Sequence, residues 1–295
     1  MKVRALISLI LSLILCLSFF SCTVASNTPG GTDDSDDMDT PAAAGEVKYK
    51  FLKAGKSDCV IIRTENSVIL LDCAAEDKSG DIITYLAERE ITTIDYLILT
   101  NFSKSCIGGA AGVIKTAGFT VKNIYEPTYS KDSSTYTAYL NAVAQAGITP
   151  VKISSDAPLT VDDIKIEFLS PLKDYSTAAD ENDEGNSVAV AVTHGKTSFL
   201  YTSRVMGDRV TELVSQIDGR TFDLFTVPNF GRADTNSASL FSAVGAKYGV
   251  IFASTKNPPE TATEQALKTA GITYFITRDG GVEATTNGTE LTIKQ

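Results

Sequence analysis

From Glu46 to the end of the chain, short strand patterns alternate with helical patterns, and this alternation restricts the fold more than any other feature. Strands are predicted at 48–52, 59–64, 67–71, 96–99, 120–125, 164–169, 187–193, 197–201, 224–227, 248–252 and 272–276, with two short strands closing the chain. Helices are predicted at 81–88, 107–117, 136–146, 209–217, 238–244 and 259–270. Two similar halves of mixed strands and helices predict two sheets covered by helices, a layered α/β domain.

The first 21 residues have the layout of a signal peptide. Lys2 and Arg4 supply a positive start, and the run from Ala5 to Phe20 contains only apolar residues and serine. This run is shorter than the roughly 20 residues that a spanning helix needs, although a membrane anchor remains an alternative. Ser21 followed by Cys22 resembles a bacterial lipoprotein processing site, with a departure three residues before the cysteine, where Phe stands instead of Leu. We therefore expect lipidation at Cys22, which would make the membrane a partner.

Residues 22–45 are expected to form a flexible acidic tether. The segment carries five aspartates between Asp33 and Asp39, contains no Lys or Arg, and has almost no large apolar side chain. Such a stretch cannot bury enough surface to offset the entropy of ordering it. The sequence thus predicts an exported protein of the cell envelope, held on the extracytoplasmic side, with a folded domain at 46–295.

Charge and histidine content exclude several functions. The chain has 26 Lys and Arg against 36 Asp and Glu, a net charge of −10, which disfavours non-specific nucleic-acid binding without excluding a local basic cleft. His194 is the one histidine, whereas catalytic zinc sites are usually built on two or three imidazoles. Because it stands next to Gly195 in a predicted hairpin turn, His194 is expected to be a surface residue.

Three of the five cysteines, Cys59, Cys73 and Cys106, fall in the predicted domain. An odd number permits at most one internal disulfide, and an oxidising location would allow it. Three unpaired thiols are the alternative, and the sequence does not choose between them.

The segment Tyr96–Gly109, with the sequence Tyr-Leu-Ile-Leu-Thr-Asn-Phe-Ser-Lys-Ser-Cys-Ile-Gly-Gly, resembles the metallo-β-lactamase superfamily. There a strand ends in Thr-His-x-His-x-Asp-His, followed by x-Gly-Gly. Further segments agree in order, namely 51–58, 69–72, 186–188, 196–202 and 226–231. The resemblance is closest to the hydrolase-like domain of bacterial competence proteins, which import DNA. It implies an αββα sandwich of two mixed sheets flanked by helices.

The positions that carry metal ligands in that family are all changed. They are Asn101, Ser103, Ser105 and Cys106 after the strand, Arg204 at the bridging aspartate, and Asn229 with Phe230 after the proline. Neutral Asn and Ser are poor zinc ligands, and one thiolate cannot hold the metal alone. Arg204 would repel a metal dication. The resemblance implies zinc, but the residues present lead us to expect no cofactor.

Lys104, Arg204 and Arg232 map to the rim of the family's active-site cleft, and Lys53 and Lys56 are expected to face the same mouth. Such cations could hold an anionic ligand, for instance a phosphate group or a nucleic-acid single strand. The alternative is that they are solvated charges on surface loops, and this is the favoured interpretation because scattered loop charges are usually part of the surface.

The sequence therefore predicts a non-catalytic binding or scaffold module with the family's fold. Asp58, Asp72, Gly108 and Gly109 would then serve loop geometry. The alternative is a metal-dependent hydrolase with unorthodox ligands drawn from Asp58, Asp72 and Cys106. A nucleophilic role for Cys106 is disfavoured because no base lies nearby in sequence, so we expect a small, partly buried side chain that fills the space of a lost histidine. No protein partner is identified.

Overall fold

A computed structural model describes Ala42, residues 45–177 and residues 182–295. The predicted signal peptide, the lipidation candidate Cys22 and nearly all of the predicted tether lie outside the described residues. Within the described part, no helix combines the length and the apolar character needed to cross a membrane.

The first sheet has eight strands, in the spatial order β15-β14-β1-β2-β3-β4-β5-β6. The strands are β1 Val47–Phe51, β2 Val60–Arg63, β3 Val68–Leu71, β4 Thr93–Ile98, β5 Thr120–Glu126, β6 Val151–Lys152, β14 Val282–Thr286 and β15 Leu291–Lys294. Neighbours are antiparallel from β15 to β3 and parallel from β3 to β6.

The second sheet has seven strands, in the order β13-β12-β11-β10-β9-β8-β7. They are β7 Leu159–Val161, β8 Ile164–Leu169, β9 Ala189–His194, β10 Thr197–Tyr201, β11 Leu224–Thr226, β12 Tyr248–Ile251 and β13 Thr273–Ile276. Its pairing follows the same plan, antiparallel from β7 to β10 and parallel from β10 to β13. The two similar halves predicted from the sequence are therefore two mixed sheets.

Seven α-helices complete the described elements. They are α1 Ser79–Glu88, α2 Lys104–Ile107, α3 Ala110–Lys115, α4 Ser134–Ala146, α5 Asp208–Gln216, α6 Ala238–Val244 and α7 Thr261–Thr269. Apolar side chains of both sheets, such as Phe51 and Phe199, pack together in a central core. A second core joins the first sheet to α1, α3 and α4, and a third joins the second sheet to α5, α6 and α7. The layers are helix, sheet, sheet, helix, so the predicted αββα sandwich is confirmed.

The predicted elements differ from the observed ones mainly at short or interrupted segments. The single helix expected at 107–117 is two helices, α2 and α3, separated at Gly108–Gly109. The strands β6 and β7 were not predicted, because two- and three-residue strands have too few positions to show an alternation. Cys59, Cys73 and Cys106 are buried free thiols, so no disulfide joins them.

The prediction that His194 is a surface residue is wrong. It does stand next to the turn of the β9–β10 hairpin, but its side chain is only 6% exposed, and its Nε2 lies 2.9 Å from Oδ2 of Asp163. The turn between β14 and β15 covers this hairpin, since Gly288 C=O accepts from the N–H of Lys196 and Gly288 packs on the imidazole. The His194 side chain, beside an exposed turn, is thus covered by a turn that lies over 90 residues later in the chain.

Candidate functional site

Residues from the loops after β1, β3, β4 and β10, together with Tyr201 at the end of β10 and Ser187 before β9, form one buried polar cluster, which we call the central cluster. It comprises Asp58, Asp72, Thr100, Asn101, Cys106, Ser187, Tyr201 and Ser203. The parallel strands β3 and β4 end at the same edge of the first sheet, as β10 and β11 do in the second. This arrangement brings residues from distant parts of the chain within hydrogen-bond distance.

Asp72 is the acceptor at the middle of the central cluster. Its Oδ1 accepts from the backbone N–H of Thr100 (2.8 Å), and its Oδ2 accepts from the Thr100 hydroxyl (2.6 Å) and from the Tyr201 hydroxyl (2.8 Å). The carboxylate therefore joins the ends of β3, β4 and β10. Burial raises the pKa of Asp72 to about 6, against the opposing effect of the hydrogen bonds from Thr100 and Tyr201.

Asn101, which the sequence resemblance assigns to the position of the family's first histidine, has a fully engaged amide. Its Nδ2 lies 3.0 Å from Ser203 Oγ and 3.3 Å from Ser187 Oγ, and its Oδ1 accepts from the N–H of Ser103 at 3.0 Å. Asn101 is fully buried. The amide thus links β4 to the second sheet through hydroxyl groups.

Cys106 is a buried thiol that donates to a buried carboxyl group. Its Sγ lies 3.4 Å from Oδ2 of Asp58. Burial, reinforced by the charges of Asp72 and Asp58, raises the pKa of Cys106 well above its usual range, which is the opposite of what a nucleophilic cysteine needs. Burial and the neighbouring Asp72 also raise the pKa of Asp58, to about 7. The expectation that Cys106 is partly buried needs correction, because its side chain is fully buried.

Arg204 lies over the central cluster and is itself held on three sides. Its Nη1 donates to Ser105 Oγ at 3.0 Å, and its Nη2 forms an ion pair with Glu184. The guanidinium carbon lies 4.8 Å from the centre of the Phe230 ring. Burial lowers the pKa of Arg204, but the ion pair and hydrogen bond with Glu184 and the nearby carboxyl group of Asp58 contribute to raising the pKa overall. A permanent, paired cation therefore stands at the position that the sequence resemblance assigns to the family's bridging aspartate.

Phe230 and Asn229, which the sequence resemblance assigns to two further histidine positions, adopt left-handed backbone conformations, with φ of 60° and 46°. The Phe230 ring packs in the core between the sheets, with Lys56 Nζ 5.1 Å and Arg204 4.8 Å from its centre. The Asn229 side chain is turned to Met206, with Nδ2 3.1 Å from Sδ. The Phe230 and Asn229 side chains therefore fill this part of the site. The face of the Phe230 ring lies against two cations, Lys56 and Arg204.

Comparison with known proteins identifies the fold. No protein-family model matches the chain, and no curated protein matches its sequence. Solved structures do match: the metallo-β-lactamase fold protein YhfI from Bacillus subtilis has a TM-score of 0.54 at 16% identity, covering 80% of this chain and 98% of its own. Zinc-bound PqqB from Methylobacterium extorquens gives 0.51 at 13% identity, over 77% and 86%. Tm1679, a metal-dependent hydrolase of the β-lactamase superfamily, gives 0.54 at 9%, over 80% and 97%.

These similarities show that the described chain has the metallo-β-lactamase fold, as the sequence resemblance predicted. They do not distinguish competence proteins from other proteins with this fold, so that closer kinship stays a prediction.

The residues at the centre of this fold do not fit a zinc ion. Among the described residues, no three His, Cys, Asp or Glu side chains are grouped so that they could hold a metal. The central cluster offers two carboxyl groups, Asp58 and Asp72, that are already engaged in hydrogen bonds, one thiol with a raised pKa, amides and hydroxyls, but no imidazole, whereas zinc selects imidazole, thiolate and carboxylate ligands. The Arg204 guanidinium adds a repelling charge at the bridging position.

The three cations predicted to bind an anion are not brought together. Lys104 lines a separate hollow with Glu76, Asp77 and Thr135. Arg232 is exposed and pairs with Asp234, with Nη2 2.7 Å from Oδ2. Arg204 and Arg232 both lie near enough to Lys56 to lower its pKa, after the larger effect of burial. Lys104 therefore lines a different hollow from the one that Lys56 and Arg232 share, and Lys56, rather than Lys104, lies near both arginines.

Sequence reasoning missed several residues that hold the site together: Thr100, Glu184, Ser187, Tyr201 and Ser203. None belongs to a family ligand position. Thr100, Ser187 and Tyr201 do lie in segments that resemble the family, which was the signal available beforehand, whereas Glu184 lies two positions outside such a segment. Its pairing with Arg204 depends on the approach of the loops before β9 and after β10.

Proposed function

We propose that this chain is an exported, lipid-anchored protein whose metallo-β-lactamase-fold domain binds a ligand and does not catalyse hydrolysis. The observation that carries the proposal is the plug formed by Arg204 with its three partners, Ser105, Glu184 and Phe230. If the sequence resemblance assigns these positions correctly, side chains of this chain fill the place where substrate and metal would meet in a hydrolase of this fold.

The interactions of the plug favour a site that binds no metal over a site that binds metal weakly. A dication bound beside Arg204 would have to overcome repulsion that a low-dielectric interior does little to screen. It would also have to break the Arg204–Glu184 ion pair, and separating a largely buried pair leaves an uncompensated charge.

The alternative function is a hydrolase that holds a metal through Asp58, Asp72 and Cys106. The hydrogen bonds of these groups argue against it. Asp72 accepts from Thr100 and Tyr201, and the Cys106 thiol donates to Asp58, so a metal would have to replace bonds that each group already makes. Ligands must be deprotonated, and the pKa of Cys106 is raised.

Export and anchoring are supported by the sequence of residues 1–45. An apolar segment, a cysteine preceded by serine and an acidic linker without cations form the order expected for a protein tethered outside the cytoplasm. A lipid at Cys22 would hold the binding domain near a membrane surface while the tether leaves it free to reach a ligand.

The metal test uses the full-length chain, purified in detergent and dialysed against metal-free buffer. Elemental analysis should find zinc well below one equivalent, and added zinc should leave the thermal unfolding midpoint unchanged, because a ligand of the folded state would raise it. One equivalent of retained zinc would contradict the proposal. In that event Cys106→Ser should release the metal if it sits at the central cluster, whereas Cys59→Ser, at another buried thiol, should not.

The anchoring test uses metabolic labelling of bacterial cells with an alkyne fatty acid. The wild-type chain should incorporate the label, and Cys22→Ser should abolish incorporation because its hydroxyl is not the acceptor of this modification. Cys16→Ser is the matched control, since it changes the other N-terminal cysteine, and it should be labelled like the wild type. Equal labelling of the Cys22→Ser chain would remove the anchoring proposal while leaving the binding proposal intact.

A further inference from the structure

A hollow of about 500 Å³ lies beside the plug and is lined by many cations; we call it the basic hollow. Its charged lining residues are Lys53, Lys56, Lys78, Lys256 and Arg278, against one carboxylate, Asp77. The whole chain has a net charge of −10, so this local excess of positive charge runs against the composition. A surface that concentrates one sign of charge in a concavity attracts ions of the other sign.

Four separate segments build the basic hollow. Lys53 and Lys56 come from the loop between β1 and β2, and Lys78 from the short 3₁₀ turn Glu76–Lys78 after β3. Lys256 lies in the loop between β12 and α7, and Arg278 follows β13. The convergence is therefore a product of the fold and not of a run of basic residues in the sequence.

Three of these cations have no carboxylate partner within the described residues. Lys53, Lys56 and Lys256 are exposed and form no ion pair there. Lys78 and Arg278 do have partners, Asp81 at 3.2 Å and Asp279 at 3.3 Å. Burial lowers the pKa of Lys56, and the nearby cations Arg204 and Arg232 lower it further. An anion bound in the hollow would offset the repulsion between Lys56 and the two arginines.

The walls also offer neutral donors on ordered loops. Ser57, Ser254 and Thr255 line the basic hollow. The loop around Ser254 is closed by reciprocal backbone hydrogen bonds with Asn257 (3.2 Å each). The loop that carries Lys53 is closed by the bond from Leu52 N–H to Cys59 C=O at 3.2 Å. Internally bonded loops lose less entropy when a ligand binds.

The lining identifies the class of ligand. The volume suits a small molecule, since ligand pockets span about 300–1,000 Å³. Lysine ammonium groups are compact point charges that suit phosphate oxygens. Binding of a nucleic-acid single strand relies on aromatic stacking platforms, but no aromatic residue lines this hollow. The adjoining Phe230 ring is already covered by Lys56 and Arg204.

We infer that the basic hollow binds a small molecule with two or more linked phosphate groups, held mainly by Lys53, Lys56 and Lys256. The inference rests on the proposed binding function and gives it a ligand class, although the site lies beside the plug and not within it. A smaller hollow of about 260 Å³, which shares Lys56 and Lys256 and adds Arg232, extends the site toward Glu260.

The test is calorimetric titration of the full-length chain, in detergent, with inorganic tripolyphosphate. We expect saturable binding that weakens as salt is raised, because the contacts are exposed charges. The variant Lys53→Glu/Lys56→Glu/Lys256→Glu should lose at least about tenfold in affinity, from three exposed ion contacts of modest strength each. A Lys→Gln triple at the same positions provides a second variant with a smaller charge change.

The matched control is Lys115→Glu/Lys196→Glu/Lys268→Glu, which makes the same change of net charge at exposed lysines that do not line the hollow. It should bind tripolyphosphate like the wild type. The inference is overturned if the wild type shows no saturable binding, if both glutamate triples lose affinity equally, or if a single-stranded oligonucleotide binds more tightly than tripolyphosphate. None of these outcomes changes the zinc content, so failure here is distinguishable from failure of the metal-free proposal.

Discussion

Asp72→Ala is expected to lower the free energy of unfolding by about 3–5 kcal/mol, because it removes one acceptor from several buried donors at once. The backbone N–H of Thr100 and the hydroxyls of Thr100 and Tyr201 would all lose their partner. All three donors are inaccessible to water. Denaturation in guanidinium chloride, followed by circular dichroism, measures the change.

Asp95→Ala is the matched control, because Asp95 also accepts from a backbone N–H, that of Val68 at 2.9 Å, and from a side chain, that of Lys122 at 2.7 Å. The Lys122 partner is exposed, so water can replace the lost bond, and the cost should be about 1 kcal/mol or less. If the two alanine variants lose equal stability, Asp72 does not hold the strand ends together as we describe.

Asp72→Asn separates the need for an acceptor from the effect of the charge. Folding raises the pKa of Asp72 from its ordinary value of 3.8 to about 6, and that of Asp58 to about 7. The folded chain therefore binds more protons than the unfolded chain across this window, and wild-type stability should fall as the pH rises from about 4 to 7. Asp72→Asn should cost less than Asp72→Ala and should flatten this fall, which unfolding midpoints at pH 5 and pH 8 would show.

Gly109→Ala is expected to cost about 3 kcal/mol or more, because the new methyl group would meet backbone and not a movable side chain. A Cβ at this position would lie 2.3 Å from the carbonyl oxygen of Cys73. That carbonyl belongs to the loop after β3, against which α2 and α3 pack through the bond from Cys73 N–H to Cys106 C=O (2.6 Å). The loop after β3 and the segment that joins α2 to α3 would have to move apart, which would disrupt the central cluster.

Gly80→Ala is the control for this substitution. Gly80 lies in α1, and a Cβ there would meet no atom within 4 Å. Because alanine favours a helix over glycine by up to about 1 kcal/mol, the variant should be as stable as the wild type or slightly more stable. Comparable losses at Gly80 and Gly109 in thermal and chemical denaturation would contradict a steric role for Gly109.

Much of the architecture follows from local patterns. The helix ending at Gly147 was predicted from a glycine stop, and Gly147 indeed adopts a left-handed conformation with φ of 67°. The predicted hairpin at Glu65-Asn66 is present, closed by the bond from Thr64 N–H to Ser67 C=O. The break at Gly108–Gly109 was not predicted, because it is imposed by the close approach of the loop after β3 and not by local preference.

The site was predictable in composition but not in arrangement. The sequence locates the changed ligand positions Asn101, Cys106 and Arg204, because each follows a strand in a segment that resembles the family. It does not pair Arg204 with Glu184, nor Cys106 with Asp58, because these partners lie 20 and 48 positions apart and meet only across loops. It grouped Lys104 with Arg232, whereas the fold places Lys104 in a different hollow.

The sequence by itself determined the layered α/β class and the identity of the residues at the positions that the family resemblance assigns to metal ligands, because strand periodicity and residue identity are local properties. Only the tertiary structure decided that Arg204 is half-buried among Ser105, Glu184 and Phe230, that burial raises the pKa of the Cys106 thiol, and that cations from four segments face one hollow. Burial and charge proximity depend on which distant segments pack together, and they fix the pKa and the partner of a side chain whose identity alone leaves both open.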